Sequence, residues 1–179
     1  MSWCTVYYDD SRSSCREYVE IFEGYEGVLC KPASEYVEYS LIYEENSVVG
    51  FVFESDKDNV PYCVRHIFWR IIMSKKGQYF LAVTGGNREL TAIRCAVEDL
   101  EVRGYEVSNV YSKYMFEKYR MELEMCVGKI VADMENGEAQ FRIYAQAVRG
   151  MSRKELRKML RSELKEYKEH KKYRKKLGM

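Results

Sequence analysis

The chain of 179 residues predicts an α/β fold of the doubly wound kind, in which a parallel sheet carries helices on both faces. Two observations support this prediction. Strand-like segments alternate with segments of helical periodicity along residues 3–111, and such alternation is typical of parallel sheets. Two of the strand segments are continuously apolar, as strands buried on both faces are. We expect a ligand to bind beyond the carboxyl ends of the strands.

The first segments predict two strands around one helix. Cys4–Tyr8 consists mainly of β-branched and aromatic residues, which indicates a strand. The polar turn at residues 9–14 leads into a helix with an apolar residue at each of the positions i, i+3, i+4 and i+7, and Ser13 or Ser14 is its expected N-cap. Residues 28–30 predict a short second strand.

Later segments repeat the alternation. The expected strands cover residues 47–53, 78–83 and 105–111, and the expected helices cover residues 61–72 and 89–103. Pro61 suits the first position of a helix, and Gly104 stands where a C′ glycine ends one. Residues 33–46 alternate only in part, so both a strand and a turn of helix stay open for them.

The rest of the chain predicts helices. One is expected over residues 115–135, ending near Gly137. Ser152 and Glu155 have the spacing of a capping box, which predicts the start of a long helix with an apolar stripe. We therefore expect an α/β domain at residues 1–111, a helical completion of it at 112–150, and a basic amphipathic C-terminal helix at 151–179.

Charge is distributed unevenly along the chain. Residues 151–179 carry twelve basic and four acidic residues, a net charge of +8, whereas residues 1–150 carry a net charge of −7. The apolar stripe of the basic helix favours docking on protein, and because no nucleic-acid motif accompanies it, a nucleic-acid partner is a distant alternative. The basic helix, or a surface formed by the sixteen tyrosines, could support a homodimer.

Two further features bear on location and metal content. No apolar run is long enough to span a bilayer and the N-terminus lacks a signal sequence, so we expect a cytoplasmic protein with no membrane contact. The six cysteines lie far apart without a C-x-x-C motif, which argues against a zinc site and against an iron–sulfur cluster. We expect them to be reduced thiols that pack as small apolar groups.

Three motifs at the predicted strand ends resemble those of a known family. Asp-Asp-Ser-Arg-Ser-Ser (residues 9–14) follows the first strand, a polar loop at residues 54–59 follows the strand at 47–53 and leads to Pro61, and Thr-Gly-Gly (residues 84–86) follows the strand at 78–83. Together they resemble the phosphate loop and the two flavin-ring loops of flavodoxin-like proteins. The resemblance covers roughly residues 3–111, judged by pattern. It is strongest to the short flavodoxin-like domain of anaerobic bacteria and archaea, which is often fused to ferredoxin.

The resemblance implies a sheet of about five strands in the order 2-1-3-4-5, bound FMN, and electron transfer or other oxidoreductase activity with a redox partner protein. Hydroxyl groups and an arginine at a helix N-terminus suit a phosphate. The residues that it implies at the cofactor are Ser11, Arg12, Ser13, Ser14, Ser55, Asp56, Thr84, Gly85 and Gly86.

The same loops depart from the family where flavin would bind. Asp10 and Arg12 replace glycines of the phosphate loop, and Asp56 stands where an aromatic residue would cover the flavin ring. Asp9 and Asp10 would place negative charge beside the phosphate, which is costly at short range. No ferredoxin cysteine motif follows. The alternative is therefore a degenerate flavodoxin-like module that no longer binds FMN and acts as a binding or structural protein, and enzymatic activity stays open.

Overall fold

The computed structural model describes residues 1–118 and 120–138 and, towards the C-terminus, residues 151–152, 154–155, 158, 161, 165, 169, 172 and 175–178. In chain order the elements are β1 (Cys4–Tyr8), α1 (Ser13–Phe22), β2 (Val28–Pro32), a 3-10 helix (Ala33–Tyr36), β3 (Ile42–Tyr43), β4 (Val48–Ser55), α2 (Tyr62–Arg70), β5 (Ile71–Ile72), β6 (Gln78–Gly86), α3 (Glu89–Val102), β7 (Val107–Ser112), α4 (Lys113–Lys118) and α5 (Leu123–Glu135).

The central sheet has five strands in the order β2-β1-β4-β6-β7, and every neighbouring pair is parallel. The predicted α/β fold with a five-stranded parallel sheet is therefore confirmed. Counted over these strands alone, the order is 2-1-3-4-5, in agreement with the sequence prediction. β3 and β5 pair with each other in a separate two-stranded parallel sheet.

Two apolar cores lie between the sheet and its helices. Because side chains alternate along a strand, Phe51 and Phe53 of β4 pack with α2 and α3, and Val52 packs on the opposite side with α1 and α5. All three side chains are fully buried. The prediction of helices on both faces is confirmed.

The helix starts differ slightly from the prediction. The N-cap of α1 is Arg12, without a capping side chain, so the prediction of Ser13 or Ser14 was wrong. Both serines are already helical because the turn closes earlier, where the Arg12 N–H donates to the Asp9 carbonyl at 3.3 Å. Pro61 is likewise the extended N-cap of α2 and not its first residue.

The end of α2 also differs. Ile71 and Ile72 were predicted on the apolar face of the helix but form β5. The guanidinium of Arg103 donates to the carbonyls of Phe68 and Trp69 in the last turn of α2 and to that of Ile71, the first residue of β5. This contact comes from a distant part of the chain and ends the helix early.

The predicted helix at residues 115–135 is in fact two helices, α4 and α5. The chain turns between them at Arg120, which has a φ of 56°. The Met121 N–H donates to the Phe116 carbonyl at 3.0 Å, which closes α4. Gly137, with a φ of 65°, ends α5 as predicted. Residues 139–150, the second part of the expected helical completion, lie outside the described residues.

The predicted capping box at Ser152 is present. The Ser152 N–H donates to Glu155 Oε2 at 2.6 Å, and the Glu155 N–H donates to Ser152 Oγ at 3.2 Å. The described positions from Lys154 to Lys176 are helical and exposed. Among the described residues no helix has the length and apolar character needed to cross a membrane. All six cysteines are free thiols.

Residues 33–46, open between strand and helix, contain both: a 3-10 turn and the short strand β3. Glu44 fixes this segment to the sheet. Its Oε2 accepts from the Tyr7 hydroxyl at 2.8 Å and from Lys31 Nζ at 3.0 Å, and its Oε1 accepts from Thr5 Oγ1 and from the Asn46 N–H, both at 3.0 Å. The carboxylate is buried and fully hydrogen-bonded.

The loop expected at residues 54–59 is largely strand and tight turn. β4 continues to Ser55, and Asp56 and Asn59 exchange backbone hydrogen bonds at 2.9 Å across a two-residue turn. Lys57 and Asp58 occupy the two central positions with φ values of 47° and 74°. This is the left-handed region that glycine and asparagine tolerate best.

Replacing Lys57 by asparagine is expected to raise the free energy of unfolding by about 0.5–1 kcal/mol, since the left-handed conformation costs a lysine roughly 1–2 kcal/mol and an asparagine less. Urea unfolding followed by circular dichroism measures the change. Lys76→Asn is the matched control, because Lys76 is exposed and does not have a positive φ. Equal stability of the two variants would show that the turn is unstrained.

Candidate functional site

The carboxyl ends of β1, β4 and β6 meet the N-terminus of α1, and we call this region the strand-end edge. It brings together Arg12, Ser14, Glu54, Asp56 and Thr84. Three loops were expected to lie here. The first residues of two of them continue the preceding strands, because β4 runs to Ser55 and β6 runs to Gly86.

A chain of hydrogen bonds runs through this edge. Ser14 Oγ donates to Glu54 Oε2 at 2.8 Å and lies 2.7 Å from Thr84 Oγ1. Because the single Ser14 proton goes to the carboxylate, Thr84 must donate to Ser14. The Cys15 thiol, 3.5 Å from Thr84 Oγ1, is then the donor to Thr84. Burial raises the pKa of Cys15 to about 11, so the thiol keeps the proton that this bond needs.

Arg12 lies on the solvent side of these groups. Its guanidinium is 4.0 Å from Glu54 Oε1 and 3.9 Å from Asp56 Oδ1, and 44% of its side chain is exposed. At these distances and this exposure, each ion pair contributes little to stability. The positive charge of Arg12 is therefore offset by two carboxylates of the same chain, those of Glu54 and Asp56.

The turn after β1 binds its own side chains. Asp9 is buried, and its Oδ1 accepts from the Ser11 N–H at 3.1 Å and from Ser11 Oγ at 2.6 Å. Asp10 accepts from the Ser34 N–H at 3.0 Å and from Ser34 Oγ at 2.6 Å. Burial tends to raise the pKa of Asp10, but these hydrogen bonds outweigh it and the pKa is lowered. Ser13 lies beside this turn, in the first turn of α1.

The remaining predicted residues have positions in the sheet. Ser55 Oγ donates to the Asn87 carbonyl at 2.6 Å. Gly86 has a φ of 92°, and a Cβ there would collide with the backbone of Ser55, so the glycine permits β4 and β6 to approach each other. Gly85 faces the Lys113 side chain. Of the nine predicted residues, Arg12, Ser14, Asp56 and Thr84 come together, and the other five do not join them.

Glu54 is the residue that sequence reasoning placed wrongly, as part of a polar loop. In the structure it continues β4, and because side chains alternate along a strand, it points to the same side as Val52 and reaches α1. Its carboxylate accepts from the hydroxyl of a residue in the first turn of α1, close to where the helix dipole favours an anion. Continuing the predicted strand at residues 47–53 by one position would have predicted this orientation.

These residues do not fit FMN. The phosphate would have to share the start of α1 with the Glu54 carboxylate, and the Ser11 hydroxyl already donates to Asp9. The turn that would cover the flavin ring has the sequence Asp-Lys-Asp-Asn and is closed by its own backbone hydrogen bonds. The polar groups of the strand-end edge form hydrogen bonds and ion pairs with one another.

Comparisons with known proteins were made for the whole chain. No family model matches it, and no curated protein matches it. In the part of the chain that the structure describes, no group of three or more His, Cys, Asp and Glu side chains is arranged to hold a metal ion.

Proposed function

We propose that the chain is a flavodoxin-like module that acts as a binding protein and does not use FMN. The parallel sheet with its 2-1-3-4-5 order supports the flavodoxin-like relationship. The hydrogen bond from Ser14 to Glu54 supports the loss of FMN, since it places a carboxylate of the chain at the start of α1.

The electrostatic cost to FMN is large. Two like unit charges about 4 Å apart repel by about 4 kcal/mol at an effective dielectric constant of about 20. This corresponds to roughly a thousandfold loss of affinity. To avoid that repulsion, the Glu54 carboxylate would have to move away from the phosphate. It would then lose its hydrogen bond from Ser14 and its ion pair with Arg12.

A second candidate is a flavodoxin-type electron carrier. One observation favours it: Ser14, Thr84 and Arg12 converge at an N-terminus of α1 that has no side-chain cap. Hydroxyls, a guanidinium and free helix N–H groups are the donors that a phosphate requires. This candidate requires Glu54 to swing away when the ligand enters.

FMN titration followed by flavin fluorescence distinguishes the two functions. We expect no saturable binding of FMN by the native protein. Glu54→Gln, which removes the charge but keeps an acceptor for Ser14, should bind FMN at least about tenfold more tightly than the limit set by the native protein. Riboflavin, which lacks the phosphate, should show no gain.

Asp58→Asn is the matched control for this titration, because Asp58 is a carboxylate of the same region whose ion pair is with Arg88 of the segment before α3. It is expected to leave FMN binding unchanged. Micromolar binding of FMN by the native protein would instead overturn the proposed loss of FMN and favour the electron carrier.

A further inference from the structure

An exposed patch of aromatic and aliphatic side chains lies on the segment 33–46, on α2 and on β5, and we call it the aromatic face. It comprises Tyr39, Leu41, Tyr43, Tyr62, Trp69 and Ile72, which are between 38% and 70% exposed. Tyrosine and tryptophan are the residues most enriched at the energetic centres of protein interfaces.

Several members of the aromatic face are neighbours along its elements. Tyr43 and Ile72 are register partners of β3 and β5, and both side chains point outward because Ile42 and Ile71 beside them are buried. On α2, Tyr62 and Trp69 are separated by seven residues and so lie on one side of the helix.

His66 joins the two parts of the face. It lies between Tyr62 and Trp69 on α2, its ring is 5.9 Å from the Tyr62 ring, and its Nε2 is 3.1 Å from the Tyr39 carbonyl. The Tyr36 ring packs on that of Tyr39 at 5.2 Å. The backbone below the face is therefore fixed, and binding would order few additional groups.

Charge is segregated across the face. The segment 33–46 carries Glu35, Glu38 and Glu45, which are exposed and form no ion pair among the described residues. α2 carries Arg65, which pairs with Asp99, and Arg70, which forms no ion pair in the part of the chain that the structure describes. Among the described residues, the segment 33–46 thus carries three unpaired negative charges, and we call it the acidic half of the face; α2 carries one unpaired positive charge, that of Arg70, and is the basic half.

We propose that the aromatic face binds a second copy of the same chain about a twofold axis, with α2 of each protomer against the segment 33–46 of its partner. A twofold axis requires a self-complementary surface, and here it sets the basic half of each protomer against the acidic half of the other. The proposal goes beyond the function proposed above by naming the partner, and it is tested without FMN, so either can fail alone.

The exposed rings supply about half of the area that a standard dimer interface buries on each partner. Aromatic side chains bury about 150–250 Å² each, so the four half-exposed rings of the face supply on the order of 400 Å² per protomer. The two aliphatic side chains and the charged rim extend this towards the roughly 800 Å² per partner of a standard interface.

Sedimentation velocity of the full chain, from about 1 to 300 µM, tests the proposal. We expect a monomer–dimer equilibrium in the micromolar range, and at least a hundredfold weaker association for Tyr43→Ser combined with Tyr62→Ser. Both side chains are about two-thirds exposed, so the double variant should keep the native circular dichroism spectrum and melting temperature. Val102→Ser, at an 87% exposed position on α3, is the control and should associate like the native chain.

Charge exchange tests the twofold arrangement itself. Arg70→Glu, and separately Glu35→Lys with Glu38→Lys, should each abolish self-association, whereas a mixture of the two proteins should form a heterodimer. A native chain that stays monomeric at 300 µM overturns the proposal. The same result is expected if another part of the same chain covers the aromatic face. A dimer that the tyrosine variants leave intact overturns it as well.

Discussion

Replacing Glu44 by alanine is expected to lower the free energy of unfolding by about 3–5 kcal/mol, the range for breaking a buried charge pair. Only 3% of the Glu44 side chain is exposed. Its loss leaves the Tyr7 hydroxyl and the Lys31 ammonium without their acceptor and frees the segment 33–46 from β1 and β2. Urea unfolding measures the difference, and Glu45→Ala, at the exposed neighbouring position, should cost less than about 0.5 kcal/mol.

The Glu44 carboxylate is also expected to make the free energy of unfolding depend on pH. Burial would raise the pKa of Glu44, but the hydrogen bonds from the Asn46 N–H, Lys31 and Tyr7 outweigh burial, and the pKa is lowered. A lowered pKa means that the contribution to stability is complete above the ordinary glutamate value of about 4.3 and is lost as the pH falls through the native value.

Glu44→Gln keeps the shape of the side chain and removes the charge, so it isolates this pH effect. The stability difference between the native chain and Glu44→Gln should be constant from about pH 7 to 5 and should shrink below about pH 4. A difference that stays constant throughout the acid range would show that the charge of Glu44 does not stabilise the fold.

Elements with a strong apolar pattern could be predicted from the sequence. β1 has the predicted bounds, and the face of α1 that repeats at helical spacing (Cys15, Tyr18, Val19 and Phe22) is buried in the structure. Burial against the sheet selects these side chains, and the periodicity that burial imposes is visible in the sequence itself.

The strand ends could not be predicted in the same way, because their stability comes from distant partners. Residues 54 and 55 are polar and were read as loop, yet β4 continues through them because Ser55 pairs with Gly86 of β6. Glu44 is a similar case, since its partner Tyr7 lies 37 residues away in the chain. A polar residue inside an element has no local signal when its hydrogen-bond partner is supplied by the tertiary fold.

The position of the candidate site followed from the topology, and its content depended on the continuation of β4 through Glu54. Parallel strands place Ser14, Thr84 and Asp56 at a common edge, so their convergence was predictable. That Ser14 donates to Glu54 depends on the direction in which Glu54 leaves β4. The topology thus predicts where a ligand would bind, whereas the side-chain contacts decide which ligand the site can accept.

Replacing Gly50 by valine is expected to cost about 3 kcal/mol or more of unfolding free energy, at the upper end of overpacking effects. Gly50 of β4 and Phe80 of β6 are register partners, and the Phe80 ring lies over the glycine so closely that a Cβ would overlap three of its carbons. The ring cannot move aside, because it is fully buried and packs on Phe22 and Tyr111 with centroids 6.1 and 6.3 Å away.

A double-mutant cycle shows whether the Phe80 ring causes the loss of stability in Gly50→Val. Phe80→Ala alone should cost about 3–5 kcal/mol through the cavity that it leaves. Gly50→Val with Phe80→Ala should be more stable than the sum of the single effects by at least about 2 kcal/mol, since the valine then enters the space of the ring. Gly128→Ala in α5, where the nearest atom to a new Cβ is the Tyr25 hydroxyl oxygen at 3.0 Å, is the control and should change stability little. Additive losses would mean that Gly50 is required for a reason other than Phe80. Coupled losses would show that the Phe80 ring, packed between Phe22 and Tyr111, is the reason why β4 requires glycine at position 50.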